Sequence, residues 1–158
     1  MGKEKLAGER VFLRELEESD ATEEYCSWIN DSDVNKYLEA KKATVEGLRA
    51  YIREKRKSKN ALFYGIFLKE TGKHIGNVKL EPIDWNKGKA TMGIMIGDKE
   101  SWGQGLGKEA LEVLFDYMKK KHSLKEIELG VRPEHKRAIA LYKKLGFAES
   151  NIFMKKEL

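Results

Sequence analysis

Three glycines at alternate positions, Gly103, Gly105 and Gly107, stand between a predicted strand and a predicted amphipathic helix. The first backbone N–H groups of a helix have no partner within the helix, and they attract anions such as phosphate. Glycines let a bulky anion approach the backbone, since no Cβ stands in the way. Lys108 would add a positive charge in the first helical turn. The motif matches neither the Walker loop nor G-x-G-x-x-G, so spacing alone leaves a phosphate site and a plain glycine-rich helix start as equal alternatives.

Alternation and helical periodicity predict the elements that must position this turn. Residues 10–16 alternate as a strand does, and two helices follow, the first capped by Ser19 or Asp20 and the second opening at Thr44. Three strands then lead into the glycines. A long helix, a short strand, a helix that Gly146 ends and two short strands complete the chain. The order β-α-α-β-β-β-α-β-α-β-β predicts a mixed α/β sheet flanked by helices.

Length and composition predict one globular domain over residues 1–158. Apolar residues make up 41% and charged residues 36% of the chain, which is typical of globular proteins rather than disordered ones. The formal net charge is +5, but the basic runs at 53–59 and 119–121 each follow an amphipathic segment, where cations suit the end of a helix dipole. Nucleic-acid binding is therefore not expected. No apolar run is long enough to cross a membrane, and the single cysteine, Cys26, fits a reducing cytoplasm.

The segment "SWGQGLGKEA", followed further along the chain by "HKRAIALYKKLGF", resembles the GNAT superfamily of acyl-CoA N-acyltransferases. The order of the elements is similar to that fold over nearly the whole chain. The stretches "ERVFLRELEESDA", "HIGNVKL" and "GDKESWGQGLGKEA" resemble the branch that includes ribosomal-protein N-terminal acetyltransferases and nucleotide-amino-sugar acetyltransferases. The resemblance implies a GNAT-like fold with a mostly antiparallel central sheet, and a reaction that uses acetyl-CoA as cosubstrate.

The resemblance also implies a role for the glycine turn and for the strand before it. The backbone of the turn would wrap the pyrophosphate of coenzyme A. The residues concerned are Trp102, Gly103, Gln104, Gly105, Leu106, Gly107 and Lys108. The strand backbone at Ile94 and Ile96 would hydrogen-bond the pantetheine arm. Trp102 stands where the family usually has Gln or Arg, so its main chain rather than its side chain is expected to bind.

Attack of an amine on a thioester needs a neutral amine, a stabilised oxyanion and a proton for the departing thiolate. The resemblance implies that Tyr142 supplies this proton as the general acid. On pattern alone, Tyr142 is a core tyrosine that completes the apolar stripe of its helix. His135 stands where the family usually has Asn, and the resemblance implies that it donates to a cofactor carbonyl. A solvent-facing histidine at a helix end is the equal alternative.

The general base has no clear motif. The related branch often has Glu where this chain has Thr91. Alternation places Glu81 on a polar face of its strand, which makes Glu81 the first candidate, with Asp84 and Glu128 behind it. A cross-strand ion pair or a solvated face is the alternative for Glu81. An amine that is partly deprotonated at the working pH needs no dedicated base at all.

These features predict an acetyl-CoA-dependent N-acetyltransferase that acts on a primary amine. The final segment, "GFAESNIFMKKEL", leaves only a tight turn where related proteins often have a longer loop beside the acceptor, which favours a protein N-terminus or an amino sugar. A degenerate CoA-binding sensor and a basic nucleic-acid or ribosome-binding module are the alternatives. No metal is expected, because the three histidines and the single cysteine show no ligand spacing. A homodimer is compatible with the resemblance.

Overall fold

The structure is a computed structural model that describes residues 4–38, 40–150 and 153–158, without the side chains of Ser150 and Phe153. The strands are β1 (Leu6–Ala7), β2 (Val11–Glu15), β3 (Leu62–Leu68), β4 (His74–Asp84), β5 (Lys89–Ile96), β6 (Glu126–Gly130), β7 (Ala148–Ser150) and β8 (Phe153–Glu157). The helices are α1 (Glu23–Asn30), α2 (Val45–Lys57), α3 (Leu106–His122) and α4 (Lys136–Lys144). The predicted tight turn before β8 falls on residues 151–152, which lie outside the described residues.

The eight strands of the described ranges form one sheet in the order β1-β2-β3-β4-β5-β6-β8-β7. All neighbours pair antiparallel except β5 and β6, which run parallel and are connected through α3. This confirms the predicted mixed, mostly antiparallel sheet; the two-residue strand β1 is an addition to the predicted order. No helix in the described part of the chain is both long and apolar enough to cross a lipid bilayer.

Local sequence explains where the first two helices begin. The hydroxyl of Thr44 accepts a backbone N–H from the first turn of α2, which confirms that this helix opens at Thr44. The predicted caps of α1, Ser19 and Asp20, are wrong. These residues lie in a short 3-10 turn ahead of the helix, and the hydroxyl of Thr22 accepts the N–H of Tyr25 instead. The 3-10 turn thus delays the start of α1 beyond the first capping signal.

The two faces of the sheet carry separate apolar cores. On the α3–α4 face, side chains of the strands pack against α3 and α4 and include Leu13 and Ile127. On the α1–α2 face, α1 and α2 pack against β2 and β3 through residues such as Trp28 and Phe67. Alternation along β2 separates the two sets, because Leu13 faces the first core while Phe12 packs on the second.

Candidate active site

The parallel strands β5 and β6 separate after three residues and leave a cleft in the sheet. Their pairing begins at Lys89 on β5 and ends at the pair formed by Thr91 and Glu128. Beyond that pair, the stretch from Met92 to Ile96 is bonded to β4 on one side only. Its other side borders the gap, which we term the β5–β6 cleft. Backbone amides along this side are available to an extended ligand that carries amide groups of its own.

The two residues predicted to hold the pantetheine arm lie on this stretch of β5. The side chains of Ile94 and Ile96 pack against the α3–α4 core, and their backbone borders the cleft. The carbonyl of Ile96 accepts the indole N–H of Trp102 at 2.7 Å. The Trp102 side chain therefore ties the glycine turn to the end of β5, although 37% of its surface remains exposed.

Two glycines of the turn adopt a backbone conformation that other residues avoid. Gly103 and Gly105 both have φ of +74°, in the left-handed region. A Cβ added at either position would meet no heavy atom closer than 3.6 Å, so the space beside the turn is open. Gly107 lies outside that region, and its Cβ would meet only the side chains of Ile94 and Ile96, the nearest atom at 3.7 Å. No contact within the described chain requires glycine at 107.

Six consecutive backbone N–H groups, from Gly103 to Lys108, have no hydrogen-bond partner among the described residues. The side chain of Lys108 lies beside Glu112 at 3.3 Å, which offsets the unfavourable position of a cation in the first helical turn. Arg137 brings a second cation close, since its Nη2 is 3.9 Å from where a Cβ of Gly103 would stand. Unpaired N–H groups, a helix N-terminus and two cations together suit a pyrophosphate.

The side chains of the remaining two residues of the turn, Leu106 and Gln104, have partners within the protein. The side chain of Leu106 is buried in the α3–α4 core, which anchors the start of α3. The side chain of Gln104 folds back, and its Nε2 donates to the carbonyl of Glu100 at 2.7 Å. Neither side chain is directed to a ligand by these contacts, so only the N–H groups of these two residues are available to the predicted site.

A bonded pair from two distant segments braces the turn, and the sequence did not predict it. The Nε of Arg10 donates to Glu109 Oε1 at 2.8 Å, and the backbone N–H groups of Arg10 and Val11 donate to Oε2 at 2.6 and 3.0 Å. The Arg10 Nη1 donates to the carbonyl of Gln104 at 2.8 Å. Burial alone would raise the pKa of Glu109, but the hydrogen bonds from Arg10 and Val11 outweigh it and lower that pKa. Arg10 thus fixes the carbonyl of Gln104 within the turn.

His135 lies directly before α4 and packs against a residue from the other side of the sheet. Its ring stacks on Tyr37 with centroids 4.0 Å apart and an interplanar angle of 10°. Tyr37 follows a segment that is fixed beside the end of β5, where Lys99 pairs with Asp31 at 2.7 Å. The stack therefore joins the end of β5 to the segment after β6, across the β5–β6 cleft. Burial, helped by the nearby cations Arg137 and Lys36, lowers the pKa of His135.

Tyr142 lies on the buried side of α4, where its ring packs against Phe147. Burial raises the pKa of its hydroxyl to about 12, so the group keeps its proton at neutral pH. The hydroxyl makes no hydrogen bond within the described residues, and it is not among the fully enclosed polar atoms. A protonated, unpaired hydroxyl that reaches the surface of the core can donate to a thiolate, which is the role predicted for it.

Glu81 lies on the α1–α2 face and is held by two lysines. Lys55 donates to both of its carboxylate oxygens at 2.7 and 3.0 Å, and the Nζ of Lys79 is 3.6 Å from Oε1. Lys79 also donates to the hydroxyl of Tyr51. This arrangement corresponds to the ion-pair alternative, while the general-base role of Glu81 stays a prediction. Asp84 accepts two N–H groups of its own turn.

The sequence singled out the turn but missed three residues that surround it, Arg10, Glu109 and Arg137. Arg137 is the third residue of the "HKRAIALY" segment. Its position beside the turn depends on where this helix begins in space, which the sequence alone does not show. Arg10 and Glu109 are separated by 99 residues, and no local pattern connects them. Among the described residues, no group of three or more metal-ligating side chains is clustered to share a metal ion.

Comparison with known proteins identifies the family. The model of the acetyltransferase (GNAT) domain matches residues 10–148. The chain belongs to the GNAT acetyltransferase family. It is 31% identical over 153 residues to an uncharacterised N-acetyltransferase, p20, of Bacillus licheniformis, with 94% of this chain and 85% of that protein covered. This GNAT protein is accordingly an N-acetyltransferase, with acetyl-CoA as its cosubstrate.

Two solved structures of acetyltransferases have the same fold as this chain. Spermidine N-acetyltransferase from Vibrio cholerae, in complex with CoA and spermine, has a TM-score of 0.84 at 21% identity and covers 94% of this chain and 95% of its own. The ribosomal-protein-S5-alanine acetyltransferase from Vibrio fischeri has a TM-score of 0.77 at 22% identity, covering 98% and 96%. At these identities the comparison establishes the shared fold.

Proposed function

We propose that residues 1–158 form one acetyltransferase domain that binds acetyl-CoA along the glycine turn and β5 and acetylates a primary amine. The observation that carries this proposal is the run of N–H groups from Gly103 to Lys108 that no described residue bonds, placed where β5 borders an open cleft. The turn would hold the pyrophosphate, and the backbone of Ile94 and Ile96 would hold the pantetheine arm. His135 would line the cleft from the side of α4.

The chemical steps of the proposed reaction use one group of this chain directly, the hydroxyl of Tyr142. Bound acetyl-CoA supplies the thioester, and the amine nitrogen attacks its carbonyl carbon. Tyr142 would give its proton to the sulfur as the C–S bond breaks, because burial keeps that hydroxyl protonated. The nitrogen loses one proton before attack and one afterwards, so the products are an amide, the free thiol and one released proton.

A protein N-terminus or an amino sugar is the favoured acceptor. Ser150 and Phe153 pair directly across β7 and β8, so only two residues connect these strands. No long loop of that connection borders the acceptor side, which suits a bulky acceptor with one exposed amine. The formal net charge of +5 further disfavours a polycationic amine through long-range repulsion. The related solved enzymes named above include one for a ribosomal protein and one for spermidine.

A thiol-release assay with a panel of amines tests this proposal. The panel contains a short peptide with a free N-terminal serine, a second with alanine, glucosamine and spermidine, each with acetyl-CoA. We expect release with a peptide or glucosamine and a loss of about 10²-fold or more in kcat for Tyr142→Phe. Tyr117→Phe is the matched control, because Tyr117 bonds Glu4 at the far side of α3. Acetyl-CoA binding without acetylation of any amine would contradict the proposal and favour a CoA-binding sensor.

A further inference from the structure

Glu128 occupies the last position at which β5 and β6 are still paired. Its Cα partner in the parallel ladder is Thr91, and the β5–β6 cleft opens immediately beyond this pair. The thioester must lie in the cleft if the pantetheine arm follows β5 inward from the glycine turn. A side chain at the closed end of the cleft is therefore placed beside the reacting carbon rather than beside the pyrophosphate.

The side chain of Glu128 lies on the face opposite Tyr142. Its neighbours on β6, Ile127 and Leu129, are buried in the α3–α4 core, so alternation directs Glu128 to the α1–α2 face. An amine that approaches from the α1–α2 face would meet the carbonyl from one side of the sheet. The thiol would leave toward Tyr142 on the other side.

On this face, neither strand position directly beyond Thr91 and Glu128 carries a side chain. The next positions on the same face are Gly93 on β5 and Gly130 on β6, and both are exposed. A Cβ added at Gly93 would have no heavy atom within 4 Å. Two glycines at the rim of the cleft leave room for an incoming amine directly above Thr91 and Glu128.

Glu128 differs from the neighbouring acidic residues because its carboxylate has no partner among the described residues. It is half-buried, and no described residue gives it a hydrogen bond or an ion pair. Glu126, two residues earlier on the same face, lies between Lys89 at 3.6 Å and Lys155 at 3.8 Å. Glu81 is bonded twice by Lys55. A half-buried carboxylate without a cation, beside an open approach, is suited to an incoming ammonium group.

We infer that Glu128 contacts the acceptor amine and takes its first proton, an inference that rests on the proposed acetyl transfer. The carboxylate binds the ammonium group and accepts one proton, and the freed lone pair attacks the carbonyl carbon. The C–S bond then breaks as the sulfur takes the proton of Tyr142. The second proton of the nitrogen restores the tyrosine, and Glu128 releases its proton to solvent.

Charged groups on the surrounding strands are Lys155, the cross-strand neighbour of Glu128 on β8, Lys79 on β4 and Glu126 on β6 itself. Lys79 is engaged by Tyr51, and Lys155 lies beside Glu126. Both lysines therefore already have partners, which leaves Glu128 available to a cationic acceptor.

Three single substitutions in the same assay separate Glu128 from its competitors. Glu128→Gln keeps the shape and removes the carboxylate, Glu126→Gln is the matched control on the same strand and face, and Glu81→Gln tests the other candidate. Activity is measured with the best amine of the panel across roughly pH 6 to 9, together with KM for acetyl-CoA.

We expect Glu128→Gln to lower kcat by about 10²-fold near neutral pH, with KM for acetyl-CoA changed by less than about twofold. The lost activity should return as the pH rises, by about tenfold per pH unit, because the amine then loses its proton to solvent. A merely structural role would not produce this slope. Glu126→Gln should retain the pH profile of the wild type, because the carboxylate of Glu128 remains.

The possible results distinguish a wrong role for Glu128 from a wrong proposed function. An active wild type with an active Glu128→Gln variant would overturn the role of Glu128 and leave acetyl transfer standing. A loss in Glu81→Gln that shows the same pH recovery would give the role to Glu81. A wild type that acetylates none of the amines would overturn both the proposed function and this inference.

Discussion

Gly107→Ala should make the protein more stable and yet weaken its binding of acetyl-CoA. Gly107 is the second residue of α3, and its φ is not in the left-handed region. An added Cβ would meet only Ile94 and Ile96, at ordinary contact distances of 3.7 to 4.0 Å. Alanine in place of glycine within a helix is worth about 0.5 to 1 kcal/mol. For a chain of this size we expect Tm to rise by about 1 to 4 °C.

The binding should change in the opposite direction. The Cβ would stand over the side chains of Ile94 and Ile96, on the surface between the turn and β5 along which the cofactor is proposed to run. We expect the Kd for acetyl-CoA to rise at least about tenfold, which corresponds to about 1.4 kcal/mol. A substitution that stabilises the fold while it weakens the ligand separates a binding role from a structural one.

Two further glycines provide the comparison. Gly103→Ala places a side chain at φ +74°, which should cost about 1 to 2 kcal/mol and lower Tm, and it should weaken binding as well. Gly72→Ala is the matched control, because Gly72 has φ of +76° in the turn between β3 and β4 and no atom lies within 4 Å of its Cβ position. It should lower Tm to a similar extent and leave binding intact.

Differential scanning calorimetry and isothermal titration with acetyl-CoA measure both quantities on the same samples. If Gly107→Ala binds acetyl-CoA as tightly as the wild type, glycine at this position is not required for binding the cofactor. If Gly107→Ala is clearly less stable, the packing argument is refuted instead. Weaker binding in Gly72→Ala would show that loss of stability alone lowers the affinity.

Three further results are expected. Because burial raises the pKa of Tyr142 to about 12, kcat should show no alkaline loss near the ordinary tyrosine pKa of about 10; a loss there that disappears in Tyr142→Phe would contradict this. Arg10→Gln should raise the KM for acetyl-CoA with little change in kcat, measured by thiol release, because the brace orients the turn without contacting the reacting atoms; a fall in kcat alone would refute it. The folded-state pKa of Glu109 lies below its ordinary value, so the ionised carboxylate stabilises the fold above that ordinary pKa, and this stabilisation is lost as the pH falls through the folded-state pKa. In urea unfolding, Glu109→Gln should therefore be less stable than the wild type at neutral pH and differ less from it in acid.

The sequence predicted those features that depend on local patterns. Alternation identified β2, Thr44 marked the start of α2, and Gly146, with φ of +93°, ends α4 as expected of a glycine beyond a helix. The glycine turn could be predicted because the freedom to adopt positive φ and the absence of a side chain both follow from the residue type glycine at each position. The prediction from local patterns was wrong at the start of α1, where Thr22 is the N-cap instead of Ser19 or Asp20.

Other features arise only when distant segments meet. The bond between Arg10 and Glu109 joins residues 99 apart in the chain, and no periodicity reports such a pair. The cleft depends on where the pairing of β5 and β6 stops, which is a matter of register rather than composition. The distinction between Glu81 and Glu128 likewise depends on which lysines lie nearby. The sequence ranked Glu81 first because strand alternation shows a face but not its ion pairs.

Isothermal titration of acetyl-CoA into the wild type, Gly105→Glu and Gly72→Glu tests the proposed cofactor site most directly. The two glycines share the left-handed conformation, and neither would crowd an added Cβ, but only Gly105 lies in the turn with unpaired N–H groups. We predict binding by the wild type and by Gly72→Glu, and no measurable binding by Gly105→Glu, because a carboxylate would occupy the pyrophosphate position. Equal affinity in all three proteins, or no binding by the wild type, would contradict the account.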